Sequence, residues 1–289
     1  MAAPHVDMRG KRVLITGFTA GIGRAAAREL AAMGAELVLV CRSADKGEAT
    51  MRAIRGRVPD ARLEMLVGDL GRQADIHRIA EAFLQSDRTL DVLFNNAGVI
   101  IDRRTTTGDG YETTFAVNHL GYFLLTHLLR EPLRAAGGGR VVSTASDAHK
   151  FNRGRLRLDD LQSEQRYTAM RTYGASKLAN ILFTRELARR EREHGVTANA
   201  FHPGFVASGF AHNNGTLARI VMTGLSPFAR SSEKGAQTGV FLCTSPSVAQ
   251  TTGEYFQDMK PRLPARAAQH DGDAARLWEL SESLTGTAG

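Results

Sequence analysis

The sequence predicts an α/β fold: a parallel sheet, doubly wound, with helices on both faces. Three observations carry this. Short apolar runs alternate with helix-length amphipathic segments along the chain. A glycine-rich turn joins the first run to the first helix. The second run, Leu37-Val38-Leu39-Val40, is apolar on both faces, as a strand covered from both sides must be.

Val13-Leu14-Ile15 reads as the first strand and ends in Thr16-Gly17. From Ile22 to Met33, Ile22, Ala26, Leu30 and Met33 share one helical face, and Gly34 stops the helix because it tolerates left-handed geometry. Further strands are predicted at Leu63–Val67, Val92–Phe94, Val141–Thr144 and Val196–Phe201, with helices near 45–56, 75–86, 110–134 and 165–193. A helix near 233–244 leads to a strand at Glu254-Tyr255-Phe256. Ala274 to Leu284 forms a terminal helix packing through Leu277, Trp278 and Leu280. Parallel strands joined this way have right-handed crossovers. No linker or internal repeat interrupts the pattern, so residues 1–289 read as one domain. The stretch 208–232 mixes Asn213-Asn214-Gly215 with Leu217, Ile220, Val221 and Phe228. It reads either as a flap over a substrate pocket or as a surface helix packed on the core.

Of 289 residues, 43% are hydrophobic and 23% charged, which excludes a disordered or collagen-like chain. Lys and Arg number 37 against 30 Asp and Glu, a net charge of +7. The basic residues are scattered and form no aromatic-interleaved cluster, so they point to a solvated surface and not to nucleic acid. An anionic cofactor needs only a few of them. Cys41 and Cys243 are too few for a disulfide framework or a four-cysteine zinc site, and they fit a reducing compartment. No apolar run approaches the ~20 residues needed to span a bilayer, and Met1–Arg12 has no signal-peptide core. The expectation is a cytoplasmic protein.

Thr16-Gly17-Phe18-Thr19-Ala20-Gly21-Ile22-Gly23 follows the first strand and opens the first helix. In that context the spacing is a variant of the Rossmann fingerprint. Missing side chains let a pyrophosphate approach the backbone, and the helix N-terminus offers N–H donors and the positive dipole end. The end of the second strand distinguishes the cofactors. An acid there would accept from the ribose 2′-OH of NAD. Val40-Cys41-Arg42-Ser43 has none, and Arg42 suits the 2′-phosphate of NADP, with Ser43, Arg24 or Lys46 as helpers. Read alone, Arg42 is also an ordinary surface charge. Asp69-Leu70 after the third strand suits the adenine or, equally, a turn. Asn95-Asn96-Ala97-Gly98 brings small residues and amides to the end of the fourth strand, beside the cofactor or simply in a turn.

Tyr173-Gly174-Ala175-Ser176-Lys177 sets a phenol and an amine one helical turn apart. Carbonyl reduction needs a proton donor and alcohol oxidation a base. Bringing a phenol from pKa ~10 towards neutrality takes roughly 4 kcal/mol. A lysine ammonium about 4 Å away supplies a term of that size. Ser146 ends the fifth strand at the carboxyl edge, where open α/β sheets bind ligands, and can polarise a carbonyl. Asn118, within a long apolar helix, is an unfavourable amide unless it makes a local bend, a water link to Lys177 or a packing contact. His149 and His202 have no accompanying ligand cluster, so they read as pocket or packing residues and no metal is expected.

Together, T-G-x-x-x-G-I-G at 16–23, D-L at 69–70, N-N-A-G at 95–98, Asn118, Ser146, Y-x-x-x-K at 173–177 and P-G at 203–204 resemble the short-chain dehydrogenase/reductase family, from Val13 to about Leu284. Within it, Cys41-Arg42, the run Val117 to Thr126, Ser176 to Asn180 and Lys234 to Thr238 are similar to the retinol-dehydrogenase-like branch. The resemblance implies about seven parallel strands in the order 3-2-1-4-5-6-7. It implies Tyr173 as acid/base, Ser146 as carbonyl anchor, Lys177 holding the nicotinamide ribose and lowering the Tyr pKa, and Asn118 maintaining the proton relay. Gly17, Phe18, Thr19, Gly21, Ile22, Gly23, Arg42, Asp69, Leu70, Asn96, Ala97 and Gly98 would bind cofactor with Tyr173 and Lys177. Pro203, Gly204, Val206 and Ser208 would line the nicotinamide pocket. A homodimer or homotetramer through the helices near 110–134 and 165–193 is what the resemblance implies, and the sequence does not decide between these and a monomer. Two departures stand out: Phe18-Thr19-Ala20 in the glycine loop, and Asp147 directly after Ser146. The expected function is NADP(H)-dependent oxidoreduction of a hydrophobic aldehyde, ketone or alcohol. An NAD-dependent alcohol dehydrogenase and a non-catalytic dinucleotide sensor are the alternatives. Such sensors tend to lose the Tyr or Lys, and this chain has both.

Overall fold

The computed structural model describes residues 6–152, 154–206 and 230–288. Its strands are β1 (Arg12–Thr16), β2 (Glu36–Cys41), β3 (Arg62–Val67), β4 (Val92–Asn95), β5 (Arg140–Thr144), β6 (Thr197–His202), β7 (Tyr255–Gln257) and β8 (Lys260–Pro261). They form one sheet in the order β3-β2-β1-β4-β5-β6-β7-β8. All neighbouring pairs are parallel except β7 with β8. The two-residue β8 adds an eighth strand to the expected seven. It is too short to carry an apolar pattern.

Alternate residues of the central strands enter opposite cores. Val13, Ile15, Leu37 and Leu39 pack with Ala26 and Leu30 of α1 (Gly21–Ala32) and Ile54 of α2 (Ala44–Arg55). Leu14, Val38, Val40 and Leu93 pack with Ile76 and Ile79 of α3 (Gln73–Leu84) on the other face. This period-2 split of a continuous apolar run makes the sheet doubly wound.

The helix expected over 110–134 is broken. Glu112 caps α4 (Thr113–Phe115), its carboxylate accepting from the N–H of Thr114 and Phe115 at 2.8 and 2.6 Å. A π-turn (Ala116–Leu120) then leads into α5 (Gly121–Leu128), and α6 (Arg130–Ala135) follows. Pro132 explains the second break: it has no N–H for the Leu128 carbonyl, and its ring would collide with it. Asn118 lies within this π-turn.

α7 (Ala169–Arg190) and α8 (Ser232–Thr244) complete the crossovers. The terminal helix α9 (Asp271–Thr285) buries Leu277 and Trp278 and half-buries Leu280. The Trp278 ring meets Phe123 edge-on, with centroids 4.9 Å apart. Of the stretch 208–232, residues 208–229 lie outside the described residues. Among the described residues no helix is long and apolar enough to cross a membrane.

Candidate active site

The glycine turn and the segment after β4 form one floor. Thr16 Oγ1 accepts from the N–H of Asn96 at 2.9 Å and of Ala97 at 3.0 Å. Asn96 Nδ2 donates back to the carbonyls of Thr16 and Gly17 at 3.0 and 3.2 Å. Gly17 has φ +72°, and a Cβ there would lie 2.7 Å from Ala97 Cα, so only glycine permits this approach. At the start of α1, Ala20 offers no side-chain cap and the first turn carries no acid. The leading N–H groups are therefore left for an anionic ligand. The Phe18 side chain is wholly buried in the core, so this residue can meet a cofactor only through its backbone. Thr19, Gly21 and Ile22 are half-buried along the turn, and Gly23 is buried behind it.

At the end of β2, Arg42 is 71% exposed, with its guanidinium 3.9 Å from the Asp69 carboxylate. Ser43 caps α2, accepting from Lys46 N–H at 3.4 Å. Asp69 Oδ1 accepts from Gly71 N–H at 2.9 Å, a turn contact, and Leu70 is buried in the core. The structure thus brings the two candidate readers of the adenosine end, Arg42 and Asp69, side by side.

The catalytic candidates converge at the carboxyl end of β5. Lys177 and Asn118 are buried there, and Tyr173 is half-buried. Ser146 hydrogen-bonds the Tyr173 side chain and also caps the short helix Asp147–Phe151, accepting from Ala148 N–H at 3.2 Å. Lys177 Nζ donates to the Thr144 carbonyl at 2.9 Å and lies 5.6 Å from the ring centroids of both Tyr173 and Tyr122. Asn118 Oδ1 accepts from Val99 N–H at 2.7 Å, while its Nδ2 donates to the Val99 carbonyl and to Ser176 Oγ, each at 2.9 Å. It clamps the segment after β4 onto α7. A Cβ built on Gly98 would stand 3.3 Å from Asn118 Oδ1 and 3.6 Å from Lys177 Nζ. The missing side chain leaves room beside both groups.

Burial shifts both members of the phenol–amine pair. Burial pushes Tyr173 up to about 12, against the Ser146 hydrogen bond that favours phenolate. Burial likewise brings Lys177 down to about 7. Desolvation thus penalises the charged form of each group.

Sequence reasoning passed over several participants. Tyr122 donates to the Ala97 carbonyl at 2.8 Å. Arg230 N–H donates to the Phe205 carbonyl at 2.7 Å, its side chain lies against Gly204, and its guanidinium pairs with Asp258. Pro203, Gly204 and Val206 are thereby held at the end of β6, while Ser208 lies outside the described residues. No local pattern around Arg230 marks it, because its partners are distant in sequence. Beside the site, Asp147 accepts from Tyr255 OH at 3.1 Å and pairs with Lys150 at 2.8 Å. Burial raises the Asp147 carboxyl, but Lys150, His202 and Tyr255 outweigh it and hold it below the usual range. His149 Nδ1 lies 2.7 Å from the Ser146 carbonyl, and Nε2 accepts from Ala265 N–H at 3.1 Å, so His149 is a packing group with a fixed tautomer. Among the described residues no group of three or more His, Cys, Asp or Glu is placed to hold a metal. Cys41 and Cys243 are free and buried.

Comparison with known proteins agrees with this geometry. A family model described as enoyl-(acyl carrier protein) reductase matches residues 17–257. Retinol dehydrogenase 12 from Mus musculus is 42% identical over 282 residues, covering 98% of this chain and 88% of the relative. A crystal structure of an uncharacterized protein from Mycobacterium paratuberculosis superposes with TM-score 0.78 at 32% identity, over 97% of this chain and 96% of the other. A structure described as an NAD(P)-dependent gluconate 5-dehydrogenase from Beutenbergia cavernae, with NADP bound at low occupancy, gives TM-score 0.68 at 28% identity, over 88% and 96%. This chain belongs to the short-chain dehydrogenase/reductase family of oxidoreductases. The uncapped α1 N-terminus, the glycine floor and the space at Gly98 fit a nicotinamide dinucleotide.

Proposed function

We propose that the protein is an NADP(H)-dependent oxidoreductase of hydrophobic aldehydes, ketones or alcohols. The observation that carries this is the hydrogen-bonded Ser146–Tyr173 pair, half-buried beside the buried Lys177 at the carboxyl edge of the sheet. When bound, the reduced nicotinamide supplies the hydride. Ser146 holds the carbonyl oxygen through its hydroxyl. Tyr173 delivers its proton to that oxygen as the carbon is reduced, and takes one back in the reverse direction. Lys177 holds the ribose and, once charged, eases loss of the phenolic proton. Asn118 keeps the segment after β4 and α7 in register. The exclusion of water that makes Tyr173 and Lys177 hard to ionise also strengthens every charge–dipole interaction within the site. The apolar composition of 208–232 and the retinol dehydrogenase relatives support a hydrophobic substrate. An exposed Arg42 and no carboxylate at the end of β2 support NADP over NAD. The same reading makes residues 1–289 one cytoplasmic domain acting as a homodimer or homotetramer.

Tyr173→Phe should lower kcat by about 10²–10⁴-fold while NADPH still binds, as read by quenching of protein fluorescence. Undiminished turnover would overturn the assignment. Arg42→Asp should lower kcat/KM for NADP by roughly 100-fold and move preference towards NAD. Equal loss with both cofactors would remove Arg42 from the recognition of the 2′-phosphate.

A further inference from the structure

The reaction depends on where the Lys177 ammonium sits, so its support is decisive. The Thr144 carbonyl that receives it ends β5, one residue past the register with β4, which stops at Asn95 opposite Ser143. Two side chains serve this carbonyl: Lys177 Nζ at 2.9 Å and Asn180 Nδ2 at 3.4 Å. They share a face of α7 three residues apart, and both are buried. α7 starts on the crevice side, which puts Asn180 nearly a turn farther in.

Asn180 Oδ1 is buried and unpaired, and so is His119 Nδ1, by ordinary hydrogen-bond geometry among the described residues. The two side chains are neighbours, since the Asn180 amide favours the protonated His119 ring. His119 is enclosed by the rings of Phe115, Phe123 and Phe183 at 5.1, 6.5 and 6.2 Å. Burial drives its pKa down to about 3, so the ring is neutral with a single N–H. Its Nε2 lies 2.9 Å from Ser281 Oγ on α9. A proton on Nε2 would leave two acceptors facing each other in an apolar setting. A proton on Nδ1 lets His119 donate to Asn180 Oδ1 while Ser281 donates to Nε2, so both orphans are satisfied.

We propose that Asn180 is a positioning residue for Lys177, and that His119, held as its Nδ1–H tautomer by Ser281, orients Asn180. By sharing the Thr144 carbonyl, Asn180 limits where on that oxygen the Lys177 ammonium docks, 5.6 Å from the Tyr173 ring. Among the described residues, the ionisable side chains that face the ammonium there are Tyr173 and Tyr122. This inference rests on the proposed role of Lys177.

The test combines steady-state kinetics with the titration of Lys177 in protein carrying [ε-¹³C]lysine, the resonance being assigned with Lys177→Met. Asn180→Leu should lower kcat about tenfold, leave both KM values within about twofold and move the Lys177 titration by more than about half a pH unit. His119→Asn places an amide N–H where Nδ1–H stood and should stay near wild type. His119→Gln places its amide in the Nε2 position and should behave as Asn180→Leu. If Asn180→Leu does not fold, Asn180→Ser, too short to reach Thr144, is read in its place. Equal behaviour of the two His119 variants, or a Lys177 titration unmoved by loss of the Asn180 amide, would overturn the proposal. Absence of turnover in the wild type would overturn the functional reading alone, because the titration needs no substrate.

Discussion

The two ends of α7 both bury charge, and they treat it in opposite ways. At the carboxyl-terminal end, Glu186 and Glu191 are 3% and 2% exposed, and each is held by two arginines: Glu186 by Arg189 and Arg190, Glu191 by Arg130 and Arg134, at 2.6–2.8 Å. Burial raises both carboxyls, but the guanidinium hydrogen bonds outweigh it, so both end below the usual range. At the crevice end, Lys177 is 1% exposed and donates to the Thr144 carbonyl, with no carboxylate as counter-ion among the described residues. Burial acts on it almost unopposed. A buried charge held by guanidinium groups is offset by its partners, whereas one without such partners is a cost to stability.

The largest effects that could break this contrast come from Lys177→Met. Turnover should fall by about 10²–10⁴-fold, yet the variant should be more stable than wild type at neutral pH. The sign follows from protons bound. With the folded pKa near 7 and the ordinary value 10.5, the unfolded chain binds more protons between those pH values. Wild-type stability therefore rises with pH across that window, recovering on the order of 4 kcal/mol. Urea unfolding of both proteins from pH 6.5 to 9.5 reads this. A pH-independent difference would show that Lys177 is not desolvated.

Glu191→Gln should do the reverse: cost roughly 1–3 kcal/mol of stability and leave kcat unchanged. The lower figure is favoured because Arg130 and Arg134 are partly exposed and can be rehydrated. Since the folded Glu191 pKa is depressed, its contribution is full above the unfolded carboxylate value and fades as pH falls through the folded one. The wild-type advantage should vanish in acid. The smallest effect belongs to Arg189→Ala. Arg189 is 64% exposed and Arg190 still holds Glu186, so thermal melts should register less than about 1 kcal/mol.

Much of the scaffold was legible because central strands are buried on both faces and write themselves as continuous apolar runs. β1, β2, β4, β5 and β6 fall within a residue or two of their predicted places. Breaks were harder. The stretch near 110–134 was read as one helix although Pro132 lies within it, and the π-turn at Ala116–Leu120 has no compositional mark. In the site, the one-turn spacing of Tyr173 and Lys177 and the place of Ser146 at a strand end were readable from the sequence, while the roles expected of them and of Asn118 came from the family resemblance. Phe18 and Leu70 show the limit of that reading, because each lies within a binding motif while its side chain serves the core.

Local chemistry along the chain determined the order of strands and helices, the glycine turn, the missing acid after β2 and the phenol–amine pair one turn apart on α7. These depend on neighbours within a few residues. Only the tertiary structure decided which distant groups meet: Thr16 with Asn96 and Ala97, Asn118 with Val99 and Ser176, and Lys177 and Asn180 on one carbonyl. It also decided that Tyr173 and Lys177 are both driven towards their neutral forms. Charge in a protein is governed by access to water, and that access is set by the whole packed chain.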